Sequence, residues 1–297
     1  MGKGAVDVLL QRNSLRQFAD RPIEPEALEL ILEAGVHSAS GGNLQPWSAI
    51  LIREAETRKK LAEMCGQEFM AAAAVHFLFC LDLHRNELVA RAGAAPYTAR
   101  NAFRHFWISI QDVVIAAQSM STAADMLGLG SVYIGTIMEF PKETREMFAL
   151  PEGVFPVVLV CMGYPAEGVE RKIMAKLPRS YLIHEERYQE PDIEKLHADY
   201  SAREGNRLTP INEKTEEIFR ASCAISVDDV FAEACMARAR EQGGFNPVQR
   251  RFGIHYPACV MPCNNLDIIE EMRKSGLRFF ERWDREDKAL EVLGERD

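Results

Sequence analysis

The chain has 297 residues, of which 47% are hydrophobic and 27% are charged, a composition typical of a folded globular protein. Its net charge of −9 disfavours general binding to nucleic acid or to anionic membranes, because both require a basic face. The longest apolar run, residues 69–81 (FMAAAAVHFLFCL), is too short to span a bilayer.

Hydrophobic periodicity predicts the first elements in turn. Apolar residues at helical spacing predict a helix over 26–39. The sequence WSAILIRE (47–54) predicts a strand, and a polar helix is expected at 55–65. The apolar run AAVHFLFCLDL (73–83) predicts a buried strand. Residues 84–102 are expected to form a loop or a helical excursion.

The longest helical pattern covers residues 103–128 and is apolar on most faces, which is typical of a helix in a core or at a subunit interface. Two further strands are predicted at 131–137 (SVYIGTI) and 155–165 (FPVVLVCMGYP). Helices and strands alternate without strict βαβ repeats. We therefore expect an α+β fold, a mixed β-sheet flanked by helices.

The character of the chain changes after about residue 195, where amphipathic helical patterns replace strands. They cover 194–207 and 212–242. A segment broken by glycine and proline follows at 243–265, and a final polar helix begins near Leu266. We expect a core at residues 1–195 and a helical C-terminal extension at residues 196–297.

The sequence RNSLRQF (12–18), called the strip below, carries polar side chains at alternate positions. If it is extended, Arg12, Ser14 and Arg16 face the same way and span roughly 13 Å at about 3.3 Å per residue. One end could hold a phosphate through Arg12 and the Ser14 hydroxyl, while Arg16 meets a second electron-rich group. The alternative is a solvated basic turn after a helix.

A polar loop follows the first predicted helix, HSASGGNLQPW (37–47). Its two glycines allow the backbone to approach a ligand closely. Asn43 and Gln45 offer paired donors and acceptors to the edge of a planar heterocycle. The alternative is a flexible turn.

The stretch GLGSVYIGTI (128–137) is not a dinucleotide-binding fingerprint, because its glycine pair precedes the strand and G-x-G-x-x-G is not met. The pair is better suited to end the long helix. Gly135 and Thr136, beyond the strand, could offer backbone N–H groups to a ligand.

The cysteines and histidines give no metal motif. His255, Cys259 and Cys263 have helical spacing, but Pro257 and Pro262 break the helix that would align them. The seven cysteines are scattered, which favours reduced thiols and a cytoplasmic protein.

Four stretches in this order, RNSLRQF, SASGGNLQPW, GLGSVYIGTI and PVVLVCMGYPAE…LPRSYLIHEERY, resemble the FMN-dependent nitroreductase and flavin reductase family through about residue 200. The chain is most similar to the oxygen-insensitive NADPH nitroreductases, which carry a helical C-terminal extension. The resemblance implies the nitroreductase fold and a homodimer with FMN at the subunit interface. It also implies NAD(P)H as the electron donor.

The resemblance implies roles for single residues. Arg12 and Ser14 would bind the FMN phosphate, with Asn13 contributing beside them, and Arg16 would reach the pyrimidine end of the flavin near N1 and O2. The other implied flavin-binding residues are the loop residues Ser40, Asn43 and Gln45, largely from the partner subunit, the ring-edge residue Gln67, and Ile134, Gly135 and Thr136 against the ring.

The family usually carries K-x-R before "LP" as a second phosphate-binding pair, and this sequence departs from it. Here the chain reads MAKLPR, so Met174 stands at the first basic position while Lys176 remains. Arg179 could compensate for the missing charge, as could Arg171 and Lys172 upstream.

Two arginines of the extension, Arg203 and Arg207, match a region that binds the 2′-phosphate of NADPH in the subgroup. Arginine suits this role because its planar guanidinium can bind a phosphate with two N–H groups at once. The alternative is a solvated helix surface. We also expect residues 243–257 (GGFNPVQRRFGIHYP) to cap the active site and to select the acceptor.

The implied reaction has two steps. NAD(P)H donates a hydride to flavin N5 and leaves, and a nitroaromatic, quinone or flavin-like acceptor is then reduced in the same place. No catalytic side chain and no metal are expected, because the flavin carries the chemistry. Two alternatives stay open: a related flavoenzyme with other chemistry, such as reductive dehalogenation or flavin cleavage, and a flavin-binding protein without turnover.

Overall fold

A computed structural model describes residues 3–293. The chain forms two compact units, Met1–Ile173 with Asp267–Asp297 and Met174–Leu266. These limits differ from the division expected at residue 195, because the chain leaves the first unit at residue 173 and returns to it at residue 267.

The first unit is built on a four-stranded sheet with the order β1-β2-β4-β3. Its strands are β1 (Trp47–Ile52), β2 (Val75–Asp82), β3 (Gly130–Ile134) and β4 (Val154–Gly163). All three strand pairs are antiparallel, and a parallel bridge joins Ser14 to Ser131. The two central strands are buried along almost their whole length, which explains why both read as apolar runs.

Helices flank this sheet, so the expected α+β fold is confirmed. The helices predicted at 26–39, 55–65 and 103–128 are present, and the first of them, α2 (Pro25–Val36), begins with a proline, where no N–H donor is needed. The first unit begins with α1 (Lys3–Leu10), α2 (Pro25–Val36), α3 (Ala55–Met64), α4 (His84–Ala92), α5 (Phe103–Met126) and α6 (Pro141–Met147).

Alternate side chains of β2 enter two different cores, as the period of a strand requires. Phe77 and Phe79 pack with Ile31 of α2 and Val113 of α5 on one face of the sheet. Leu78 packs on the other face with a cluster that includes residues of α3 and of the strip. Among residues 3–293, no helix combines the length and the apolar character needed to cross a membrane.

The second unit is helical after an irregular segment that contains a short 3-10 turn at Arg179–Tyr181. Its helices α8 (Glu213–Ser226) and α9 (Asp229–Glu241) form a hairpin, and the side chains of Asn212 and Asp228 cap their N-termini. Phe219, Met236 and Phe245 form its core. The helices are α7 (Ile193–Arg203), α8 (Glu213–Ser226), α9 (Asp229–Glu241) and α10 (Pro247–Gln249), which continues as a π-helix at Arg250–His255.

The last segment returns to the first unit through α11 (Asn265–Lys274) and α12 (Glu286–Leu293). Met272 and Phe279 of this segment pack with Leu81, Leu83 and Phe155 in a third apolar cluster. A backbone hydrogen bond also joins this segment to the residue before β4, since Gly153 N donates to the carbonyl of Ser275 at 2.7 Å.

Candidate active site

The strip is extended, as expected, and lies along the start of β3. Leu15 N donates to the carbonyl of Ser131 at 3.0 Å, and Ala166 N donates to the carbonyl of Gln17 at 3.0 Å. These bonds fix its position at both ends. The alternative of a solvated turn is therefore not what the structure shows.

Two glycines allow the strip to lie this close to the sheet. Gly130 and Gly163 face each other across β3 and β4. A Cβ atom built on Gly130 would lie 2.7 Å from the side chain of Leu15, and one on Gly163 would lie 3.0 Å from Phe18. Both apolar neighbours are buried. A larger residue at either glycine would therefore displace the strip.

Arg12 and Ser14 come together as predicted. Nη1 of Arg12 donates to Ser14 Oγ at 3.4 Å, and the Arg12 guanidinium lies over the ring of Tyr133. Nε of Arg12 is buried and lacks a hydrogen-bond partner in the described part of the chain. A buried guanidinium donor beside a hydroxyl fits an anion such as a phosphate group.

The other two predicted residues of the strip lie differently. Asn13 is buried, and its Nδ2 donates to the carbonyl of Gln11 at 3.1 Å, so this side chain supports the local backbone. Arg16 is exposed, where its charge is available to a ligand that covers the strip.

Gln67 and Thr136 meet beyond the far end of β3. Nε2 of Gln67 donates to Thr136 Oγ1 at 3.1 Å, and the side chain of Ile134 at the end of β3 is buried. A Cβ atom built on Gly135 would meet no atom within 4 Å, so the protein leaves open space there. An amide and a hydroxyl beside open backbone suit the edge and face of a flat heterocycle.

The loop of residues 40–45, called the Ser40 loop, is fixed by Asp112, a residue that sequence reasoning missed. The Ser40 hydroxyl donates to Asp112 Oδ2 at 2.5 Å, and Gly41 N donates to Oδ1 at 3.1 Å. Gln45 N in turn donates to Ser40 Oγ at 2.8 Å. The available indication was a carboxylate in the middle of an apolar helix, and Asp112 is indeed only 2% exposed.

Ser40 is half-buried, whereas the other two predicted ligand residues of this loop, Asn43 and Gln45, are exposed. Asn43 and Gln45 both have a left-handed backbone, with φ of 55° and 48°. Arg85 Nη2 donates to the carbonyl of Gln45 at 2.5 Å, and Asn86 Nδ2 donates to the carbonyl of Leu44 at 3.0 Å. The loop is therefore held in a strained conformation rather than being a flexible turn.

A salt bridge lies beside the Arg12 end of the strip. Nη1 of Arg171 donates to Asp125 Oδ1 at 3.2 Å, and Arg171 also bonds to the carbonyl of Leu129. Burial raises the pKa of Asp125, and the charges of Arg171 and Arg12 oppose that rise.

Comparison with known proteins identifies the family to which this fold belongs. The family model described as "Nitroreductase family" matches residues 9–164. The chain belongs to the nitroreductase family. The resemblance seen in the four sequence motifs is thereby confirmed, and the matched range contains the strip, the Ser40 loop, Gln67 and the turn after β3.

Among its relatives in the nitroreductase family are two enzymes with similar lengths of match. The oxygen-insensitive NADPH nitroreductase of Salmonella typhimurium is 32% identical over 196 residues, 66% of this chain and 78% of the relative. The NADPH-flavin oxidoreductase of Vibrio harveyi is 30% identical over 210 residues, 68% of this chain and 85% of the relative.

Solved structures of similar proteins agree with the fold. The Bacillus megaterium protein NfrA2 has a TM-score of 0.72 and 25% identity, with 94% of this chain and all of that chain covered. The NADPH:FMN oxidoreductase from Vibrio harveyi complexed with NAD+ has a TM-score of 0.62 and 28% identity, with 68% and 86% covered.

Four residues predicted for this nitroreductase site lie in the second unit, and their roles stay predictions. The guanidinium of Arg203 bonds to Glu204 Oε1 at 3.0 Å and lies 4.2 Å from the ring centre of Tyr200, so contacts within the unit hold it. The other three are exposed: Lys176, Arg179 and Arg207.

Proposed function

We propose that the protein is an FMN-dependent NAD(P)H oxidoreductase that reduces nitroaromatic, quinone or flavin-like acceptors. One observation carries this proposal. The anion-binding pair Arg12 and Ser14 lies at the start of β3, whereas Gln67 and Thr136 lie beyond its end. From Ser131 to Ile134 the strand rises roughly 10 Å at about 3.3 Å per residue, and the turn at Gly135–Glu139 that carries Thr136 follows it, an arrangement that suits an extended FMN molecule.

The names of the relatives support the same reaction class, since they are an NADPH nitroreductase and an NADPH-flavin oxidoreductase. When bound, FMN supplies the transfer of a hydride and two electrons between NAD(P)H and the acceptor. The chain's own residues bind and orient it. Arg12 and Ser14 hold the phosphate, Gln67 and Thr136 fix the ring edge, and the open space at Gly135 leaves room for the ring face.

The active form that we propose is a homodimer formed through α5. This helix leaves a row of large apolar side chains exposed on one side although it packs on the sheet with the other. A second copy of the chain would bury this row and would bring its exposed Ser40 loop to the flavin site. The exposed residues are Phe103, Trp107, Val114, Ile115 and Met126.

The test is the visible absorption spectrum of the full-length protein, recorded before and after NADPH is added without oxygen. We expect a flavin spectrum that bleaches, and colour that returns when a nitroaromatic or a quinone is added. A flavin band that stays oxidised with both NADPH and NADH would contradict the reductase function. A chain that binds no FMN on reconstitution would contradict the flavin site itself.

A further inference from the structure

A cavity of about 520 Å³ opens in the first unit where β1 ends and β2 begins, and it is called the Arg58 cavity below. Its wall contains Arg53, directly after β1, and Val75, the first residue of β2, together with Leu28 of α2 and Arg58 of α3. The volume lies in the range of about 300–1,000 Å³ that is typical of small-molecule sites. None of the described residues that are assigned above to the flavin lines this cavity.

Arg58 has a hydrogen-bonding edge that the protein leaves unused. Its Nη1 donates to the carbonyl of Ala71 at 3.2 Å and to the carbonyl of Ala73. Nε is buried, and neither Nε nor Nη2 has a hydrogen-bond partner among the described residues. Because Nε–H and one N–H of Nη2 point the same way, they form a fork that matches the two oxygens of a carboxylate. An unpaired buried donor is costly, so an oxyanion is the ligand that suits this edge.

The charges around the Arg58 cavity leave an excess of one positive charge. The basic residues of its wall are Arg21, Arg53 and Arg58, and its acidic residue is Asp20. Arg21 is neutralised by Glu24, to which its Nη2 donates a hydrogen bond at 2.5 Å. Three positive charges therefore face two negative ones. This excess matches a carboxylate, with one negative charge, better than a phosphomonoester, which carries about −1.5 to −2.

An apolar surface forms another part of the same wall. The side chains of Ile23, Leu28 and Val75 line the cavity and are otherwise buried. Pro22 and Ala74 extend this surface. A ligand with a hydrocarbon body gains free energy when it displaces water from such a surface.

We propose that the Arg58 cavity is a binding site for a small organic monocarboxylate. The carboxylate binds to the unused edge of Arg58, with Arg53 as the second cation, and the hydrocarbon body packs against Ile23, Leu28 and Val75. This site goes beyond the proposed function, because its residues bind the ligand with or without a flavin.

The probe for the test is hexanoate, with hexanamide as its uncharged control. Full-length wild type, with and without added FMN, is titrated with both compounds by calorimetry. We expect hexanoate to bind at least about tenfold more tightly than hexanamide, since the amide carries no charge for the guanidinium groups. Butanoate should bind about tenfold more weakly than hexanoate, because two buried CH₂ groups are lost.

Three variants assign this binding to the Arg58 cavity. Arg58→Lys keeps the charge without the planar fork, so hexanoate affinity should fall about tenfold. Arg53→Met should lower it about threefold, because this charge is exposed and screened by water. Lys60→Met, at an exposed cation of α3 outside the wall, is the matched control and should stay within about twofold of wild type.

Melting temperatures show whether each variant is folded. Arg53 makes no hydrogen bond within the described part of the chain, so Arg53→Met tests the site even if Arg58→Lys proves unstable. Equal affinities for hexanoate and hexanamide, or an unchanged hexanoate affinity in the folded variants, would overturn the proposal. A loss that appears in Arg12→Met instead would place the carboxylate at the proposed flavin site and would overturn it too.

The titration without FMN separates this proposal from the proposed function. A wild type that binds hexanoate through Arg53 and Arg58 but binds no FMN fails as a flavoenzyme and keeps the carboxylate site. A wild type that binds and reduces FMN but shows no preference for hexanoate over hexanamide keeps the flavin function and loses the carboxylate site.

Discussion

His76 is buried at the centre of the sheet, and its environment makes the fold sensitive to acid. Nε2 donates to the carbonyl of Met70 at 2.8 Å, because a carbonyl can only accept, and Nδ1 is buried without a partner in the described residues. Burial lowers the pKa of His76 to about 4. The unfolded chain therefore takes up this proton first as pH falls below about 6.5.

We predict a loss of stability between pH 6.5 and about pH 4 that depends on His76. The folded-state pKa is depressed, so the contribution is complete above pH 6.5 and falls with pH, by up to about 3 kcal/mol. Urea unfolding of wild type and His76→Gln at pH 7.0 and 4.5 measures this. The variant should lose less stability than wild type between the two values. Equal losses would show that other groups govern the acid transition.

Replacing each of two glycines of the site by alanine should have different effects on stability. Gly130→Ala forces a Cβ atom into Leu15, so we expect a loss of about 1–3 kcal/mol of unfolding free energy, together with weaker FMN binding. Gly135→Ala meets no protein atom within 4 Å, so stability should stay the same while the new methyl group crowds the flavin ring.

Thermal unfolding without flavin and FMN titration of both variants check this pair. Gly135→Ala binding FMN as tightly as wild type would show that the ring does not lie over this turn. A Gly130→Ala variant as stable as wild type would show that the strip can shift without cost.

The Ser40 loop depends on an element far from it in sequence. Asp112 of α5 accepts hydrogen bonds from Ser40 Oγ and Gly41 N, and it is almost fully buried. In Asp112→Asn one side-chain oxygen remains as an acceptor, so one of the two bonds is lost. The expected loss of unfolding free energy is about 1–3 kcal/mol.

The same variant should open the loop to proteases. Limited proteolysis should cut Asp112→Asn within residues 40–45 faster than it cuts wild type, since that backbone is exposed and loses its anchor. Asp267→Asn, at an exposed acid on α11, is the control and should behave as wild type. Unchanged cleavage in Asp112→Asn would mean that Arg85 and Asn86 hold the loop alone.

The sequence predicts an element well when the pattern that forms it lies within the element itself, and poorly when the element depends on residues far away in the chain. The strands β2 and β4 follow from apolar runs, and the strip follows from alternating polar residues, because these patterns have the period of the structure they form. Periodic patterns could not predict the role of Asp112 in holding the Ser40 loop. Its partners Ser40 and Gly41 are about 70 positions away, and a single carboxylate in a helix does not reveal its contacts.

At the scale of the whole molecule, the exposed row on α5 predicts how the chain assembles. Trp107 is 57% exposed at the side of this helix that the sheet does not cover. Trp107→Glu should place a charge in the dimer interface and shift the protein to monomers with reduced FMN content, because the partner's Ser40 loop is lost from the site. Sedimentation equilibrium and flavin content measure this.

The control for the assembly test is Val89→Glu on α4, an exposed apolar residue outside the row. It should remain dimeric with wild-type flavin content. A wild-type protein that sediments as a monomer with full flavin content would refute the dimer and would require each chain to complete its own site.

The return of the last segment to the first unit has a consequence for synthesis on the ribosome. Met272 and Phe279 fill the cluster that contains Leu81, Leu83 and Phe155, yet they follow the whole of residues 174–266. A nascent chain must therefore expose the apolar surface of this cluster until residues 272–279 have been synthesised. During this interval chaperones have an exposed apolar surface to bind, and a chain that ends before residue 272 should be aggregation-prone rather than a shortened enzyme.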